Sequence, residues 1–267
     1  MSYKTFFIPK LALLFSFYFV TIAIYSQSKI DTDRPDQTES VYTIPQGWVQ
    51  FEAGFNKQQN DKWSNEYFSP TLLSKYGISS KVELRLITTI VTNSTMLMPQ
   101  GTTNYTGLDP LQIGAKVSLW EAKKWIPKTS LIFHFGIPKT ASKNYDVRKI
   151  APNFRFTMQN ELSKNVAIGY NIGAEWDGET NTPTYIYTFA PGMNLSERWY
   201  AYIEAFGSLK KNEIAQHSLD GGIAYYVNND FKLDISSGFG ISSEAPDWYF
   251  AVGASFRFNT RKSKKSN

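Results

Sequence analysis

Four carboxylates crowd the stretch DTDRPDQTES, where Asp31, Asp33, Asp36 and Glu39 surround Arg34 and no large apolar side chain intervenes. Carboxylates so close together ligate a cation, act as an acid and base pair, or meet cationic side chains from elsewhere in the fold. The spacing of Asp31, Asp33 and Asp36 is reminiscent of calcium ligands, but the stretch lacks the central Gly and distal Glu of an EF-hand, so no metal is expected. Nucleophilic catalysis needs a base beside its nucleophile. Here the only histidines are His134 and His217, Cys is absent, and no GxSxG occurs. His217 precedes Ser218, and neighbouring residues of a strand point to opposite faces. A lipase-like or esterase-like barrel would have to pair His134 with Ser130 or Ser118 across strands. The expectation is a non-enzymatic protein without cofactor, whose leader carboxylates find Arg or Lys partners.

The chain places that stretch directly after a secretory signal. Residues 1–26 carry Lys4 and Lys10, then the apolar run Leu11–Ile24, then the small Ser26. The run is about 14 residues, short of the roughly 20 that span a bilayer as a helix, and no later stretch is continuously apolar for that length. Without Cys there is no lipoprotein anchor, disulfide or thiolate metal site. The formal charge of +5 falls by two when Lys4 and Lys10 leave, and much of the remaining excess sits in the tail RKSKKSN. A terminal excess gives no support to a nucleic-acid-binding surface.

From Trp48 onward the apolar residues recur with period two, the pattern of strands with one greasy and one polar face. Val49, Phe51, Ala53 and Phe55 oppose Gln50, Glu52, Gly54 and Asn56; Val82, Leu84 and Leu86 oppose Glu83 and Arg85; Ile113, Ala115 and Val117 oppose Gln112, Gly114 and Lys116. Counting every such segment gives about 12 strands, an even number of the kind bacterial outer-membrane barrels use. Long links are expected near 58–65, 92–108, 138–149, 177–183, 208–215 and 243–247, alternating with shorter ones. Trp48, Tyr76, Trp120, Trp125, Trp176, Trp199, Tyr200, Trp248 and Tyr249 stand near segment ends, where membrane interfaces would fall. The fold expected is therefore all-β: a transmembrane antiparallel up-and-down β-barrel preceded by a signal peptide. Only a closed barrel satisfies every backbone hydrogen bond among lipid.

The polar faces would then line the lumen. They carry Glu52, Lys75, Glu83, Arg85, Lys116, Arg155, Glu175, Glu204, Asp220, Asp234 and Arg257, with His134 beside them. In a narrow barrel these charges are expected to form a network of ion pairs and hydrogen bonds, and the alternative is a polar pathway for solutes. The link at 92–108 contains Met96, Leu97 and Met98, expected to pack against neighbouring loops rather than to hold a ligand.

The stretches DTDRPDQTESVYTIPQGWVQFEAGF, LLSKYGISSKVELRL, GLDPLQIGAKVSLW and KLDISSGFGI together resemble the bacterial family labelled "putative MetA-pathway of phenol degradation". That resemblance implies an outer-membrane barrel concerned with solute uptake. It leads to a signal peptide over 1–26, a periplasmic leader or plug over 27–45, a barrel over 46–258 and a basic tail over 259–267. Pro35 holds Arg34 extended, and the leader is expected to fold into the periplasmic mouth through Asp33, Arg34, Asp36 and Glu39. Arg34 would pair with wall carboxylates and the leader acids with lumen Arg or Lys. The expected function is a transporter or narrow channel for small solutes, hydrophobic or aromatic ones among them, in the bacterial outer membrane. The alternatives are the lipase-like barrel and a barrel with a structural or surface role. Expected partners are outer-membrane lipid, the barrel-assembly machinery and a small-molecule solute that the sequence does not name. Many outer-membrane barrels end on an aromatic residue, whereas Phe258 is followed here by the basic tail.

Overall fold

A computed structural model describes residues 29–261; the expected signal peptide and the tail beyond 261 lie outside the described residues. The strands are β1 Trp48–Asp61, β2 Ser64–Gly77, β3 Val82–Leu97, β4 Gly101–Leu108, β5 Gln112–Trp120, β6 Lys128–Gly136 and β7 Ala151–Glu161. They continue as β8 Val166–Glu175, β9 Thr184–Asn194, β10 Trp199–Lys210, β11 Gln216–Asn228, β12 Phe231–Gly240 and β13 Trp248–Asn259. Successive strands pair antiparallel except β4 and β5, which both pair with β3, and β1 pairs with both β2 and β13, which closes the sheet.

Although 13 strands are assigned, β4 and β5 occupy a single place in the barrel. Both lie against β3, whose Ile90 faces Leu108 of β4 and whose Ile87 faces Gln112 of β5. The interruption falls at Asp109–Leu111, where Pro110 has no N–H to give to the ladder. The closed barrel thus has the 12 strand positions read from the alternation. Two expected long links are instead continued strands. The link at 58–65 reduces to a turn at Lys62 and Trp63, and the one at 92–108 is the upper part of the β3–β4 hairpin. At that hairpin's tip Met98 is 72% exposed and Met96 and Leu97 are also exposed, so the expected packing of these residues against loops does not occur.

Alternation sorts side chains by solvent, as a lipid-facing wall requires. On β3, Leu84 is 48% exposed while its neighbours Glu83 and Arg85 are 0% and 2% exposed. The same inversion runs round the barrel: Phe256 and Phe258 lie outside, while Ser255 and Arg257 are buried. The interior is therefore polar, and the apolar surface is the outer one. Trp120, Trp125, Trp199 and Tyr76 lie exposed near strand ends as expected of interface residues. Tyr249 and Tyr200 depart from that expectation. Tyr249 is buried with its hydroxyl on Asp220, and Tyr200 packs over Gly192 on the inner face, because each falls on the inward parity of its strand.

Candidate functional site

Charged side chains from six strands converge on the leader, which crosses the lumen before entering β1. Asp33 is the hub. Its carboxylate lies 2.5 Å from Lys75 Nζ, 2.8 Å from Arg85 Nη1 and 2.9 Å from Lys116 Nζ. These cations come from β2, β3 and β5, and each is supported in turn by a wall acid: Lys75 by Glu52 at 2.5 Å, Arg85 by Glu83 at 3.1 Å and Lys116 by Glu83 at 3.9 Å. Burial raises the pKa of Asp33, but Lys116, Lys75 and Arg85 outweigh burial and hold it well below its ordinary 3.8. Glu39 accepts from Arg85 Nη2 at 2.6 Å, and the leader amides of Asp33 and Ile44 donate to Glu52 and Glu83. Without these partners the buried carboxylates would each cost several kcal/mol, on the order of the effective ion-desolvation penalty.

Arg34 reaches the opposite wall, where its Nη2 lies 3.0 Å from Asp234 of β12. Space for the guanidinium exists because Gly54 and Gly253, directly paired across β1 and β13, carry no side chain. A Cβ at either position would fall within 2.1 to 2.3 Å of guanidinium atoms. Pro35 is buried beside it and its carbonyl faces Ser236. Lys232, which shares a face with Asp234, donates to the Arg34 carbonyl at 2.7 Å and to the Thr32 hydroxyl. Lys232 was not among the expected lumen charges, although its two-residue spacing from Asp234 places it there.

The other expected lumen residues divide differently. Glu204 and Asp220 face each other across β10 and β11, and neither forms an ion pair among the described residues. Glu204 accepts from the Gln37 amide at 2.7 Å and the Thr38 hydroxyl at 2.6 Å, and Asp220 accepts from the Tyr249 hydroxyl. Here the charge pairing expected of the network is replaced by neutral donors. Arg155 and Glu175 sit 3.7 Å apart nearer the extracellular end. Arg257 pairs at 2.9 Å with Asp230 of the β11–β12 turn. Asp36 lines a cavity beside the β7–β8 turn and forms no ion pair with an Arg or Lys among the described residues.

His134 accepts from Arg85 Nε at 3.0 Å, while Ser130 gives its hydroxyl to the Val41 carbonyl. The pairing of His134 with Ser130 that a hydrolase would need is thus not formed. No group of three or more His, Cys, Asp or Glu among the described residues is arranged to hold a metal.

The family model described as Putative MetA-pathway of phenol degradation matches residues 32–258, from the leader to the end of β13. The chain belongs to this family. No curated protein matches the sequence. Among solved structures, the COG4313 outer membrane channel from Pseudomonas putida F1 is similar to this family member with a TM-score of 0.65 at 13% identity, over 82% of this chain and 98% of that one. The NanC porin gives a TM-score of 0.51 at 9% identity over 78% and 98% of the two chains. The KdgM porin, solved with disordered oligogalacturonate, gives 0.51 at 8% identity over 79% and 99%. At such identities these likenesses establish the shared fold, that of bacterial outer-membrane barrels.

Proposed function

We propose that the protein is a narrow outer-membrane channel for small solutes, hydrophobic or aromatic ones among them, closed at rest by its own leader. The observation that carries this reading is the placement of residues 29–45 across the lumen, with Asp33 bonded to cations from three separate strands. A segment serving only to link the chain to its barrel would not be tied by buried charges to opposite walls. Membership of the family supports the reading, as does the likeness of the barrel to a protein described as an outer membrane channel. Planar-bilayer recording of the refolded protein tests it. The wild type should show little steady conductance, and deletion of residues 29–45 should raise it. A large wild-type conductance that the deletion leaves unchanged would mean an open pore and would rule out closure by the leader.

A further inference from the structure

The leader is fastened unequally to the two sides of the barrel. Toward β2, β3, β5 and β12 it is held by the ion pairs of Asp33, Glu39 and Arg34, and toward β1 by the Asp33 amide on Glu52. Toward β7, β8, β9 and β10 it makes hydrogen bonds alone among the described residues. The Thr38 hydroxyl meets those of Thr188 and the carboxylate of Glu204, each at 2.6 Å. The Glu39 amide donates to Asn171 at 2.7 Å, and Thr157 reaches the Ser40 carbonyl at 3.4 Å. Such bonds contribute far less when exchanged for water than a buried ion pair costs to break.

Directly beneath this seam, on the same side, lies a cavity of about 310 Å³. It opens beside the β7–β8 turn at the periplasmic mouth. Its wall is hollowed by Gly169, Ala190 and Gly192 and flanked by the rings of Tyr200 and Tyr226, while Glu161, Lys164 and Lys232 of the wall and the leader's Asp31, Asp36 and Glu39 make much of its lining polar. The weak contacts and the empty space thus coincide.

Resting on the reading that the leader closes the lumen, we propose that solute crosses through the seam between the leader and β7–β10. Thr38 is its latch, and Gly169, Ala190 and Gly192 with Tyr200 and Tyr226 set the size and shape of what passes. The leader remains tethered to β1, β2, β3, β5 and β12 throughout, so opening is a local parting of one side and not expulsion of the plug. When Thr38 leaves Glu204 and Thr188, the cavity becomes continuous with the extracellular half of the lumen. The rings of Tyr200 and Tyr226 then offer flat apolar faces along a route whose other side carries Asp36, Glu161 and Lys232, which suits small uncharged solutes that bear hydrogen-bonding groups.

Because the chain has no native Cys, engineered disulfides can test this directly. Thr38→Cys with Thr188→Cys locks the seam; Thr43→Cys with Ser80→Cys, built where Thr43 bonds the Ser80 carbonyl at 3.1 Å, locks the tethered side. Flux of glycerol and arabinose into proteoliposomes is measured oxidised and reduced, beside the leader deletion. Oxidation of the seam pair should lower flux by roughly tenfold and reduction should restore it, while oxidation of the tether pair should change it by less than about twofold. Independently, Thr38→Val, which removes both hydroxyl bonds, should raise wild-type flux. Loss of flux in both locked proteins would mean that the whole leader must leave, overturning the seam while keeping the plug. Unchanged flux in the seam lock or in Thr38→Val would overturn the route. If the leader deletion also leaves flux unchanged, the closed-channel reading itself has failed.

Discussion

Asp33 is the residue on which the most buried charge converges, and its removal should reveal what the network is worth. Replacing it with Asn leaves Lys75, Arg85 and Lys116 buried with one fewer anion among them. Loss of one member of a buried charge set costs on the order of 3–5 kcal/mol, so Asp33→Asn should lower the denaturation midpoint of the leader or of the whole barrel. Arg85→Ala should act in the same direction, since it takes from Glu39 its ion-pair partner and leaves Asp33 to Lys75 and Lys116 alone. Thermal unfolding in detergent, followed by heat-modifiable gel mobility, measures both. A smaller steric test lies at Arg34: Gly253→Val fills the notch that holds its guanidinium and should weaken leader docking without adding or removing a charge.

At the scale of the element, the docking of Asp33 and Glu39 should depend on pH with a definite sign. Asp33 and Glu39 both titrate below their ordinary values of 3.8 and 4.5, because burial is outweighed by Lys116, Lys75 and Arg85 in the first case and chiefly by Arg85 in the second. A carboxylate with a depressed folded pKa contributes stability that is complete above its unfolded pKa and is lost as pH falls through the folded one. Hydrogen-exchange protection of the amides beside Asp33 and Glu39 should therefore hold between pH 7 and about 5 and decline only below about 4, whereas burial pushes Asp31 up and Asp36 up to about 8, so these two acids oppose docking less as pH falls. Protection lost already near pH 6 would show that the acids are not paired as described. Salt should matter little in the same experiment, since buried pairs are screened far less than exposed ones.

For the molecule as a whole, the barrel turns the usual distribution of polarity inside out, and substitutions should respond accordingly. Leu86 faces lipid on β3 and its neighbour Arg85 faces the lumen. Leu86→Arg places a charge on the lipid side and should destabilise the folded barrel in bilayers by roughly 2–4 kcal/mol if it lies near the midplane. Met98→Arg, at the exposed hairpin tip, should be nearly neutral in the same folding assay. A similar cost at both positions would contradict the membrane placement of the β3 wall.

Alternation of apolar and polar residues was enough by itself to specify the strands, their number of barrel positions and the inward or outward side of most residues, because lipid and lumen impose opposite preferences at every second position. Membership of the family was legible too, in the leader and the strands that follow it. What periodicity could not supply was the depth of the leader or the identity of each charge's partner. Asp33 meets Lys75, Arg85 and Lys116 across 42 to 83 positions of sequence, a convergence that exists only once the sheet has closed. Closure also decided that Glu204 and Asp220 rely on Thr38, Gln37 and Tyr249 instead of cations, and that two expected loops continue as hairpins. Local sequence fixes which way a side chain points; only the register and curvature of the closed sheet fix what it points at.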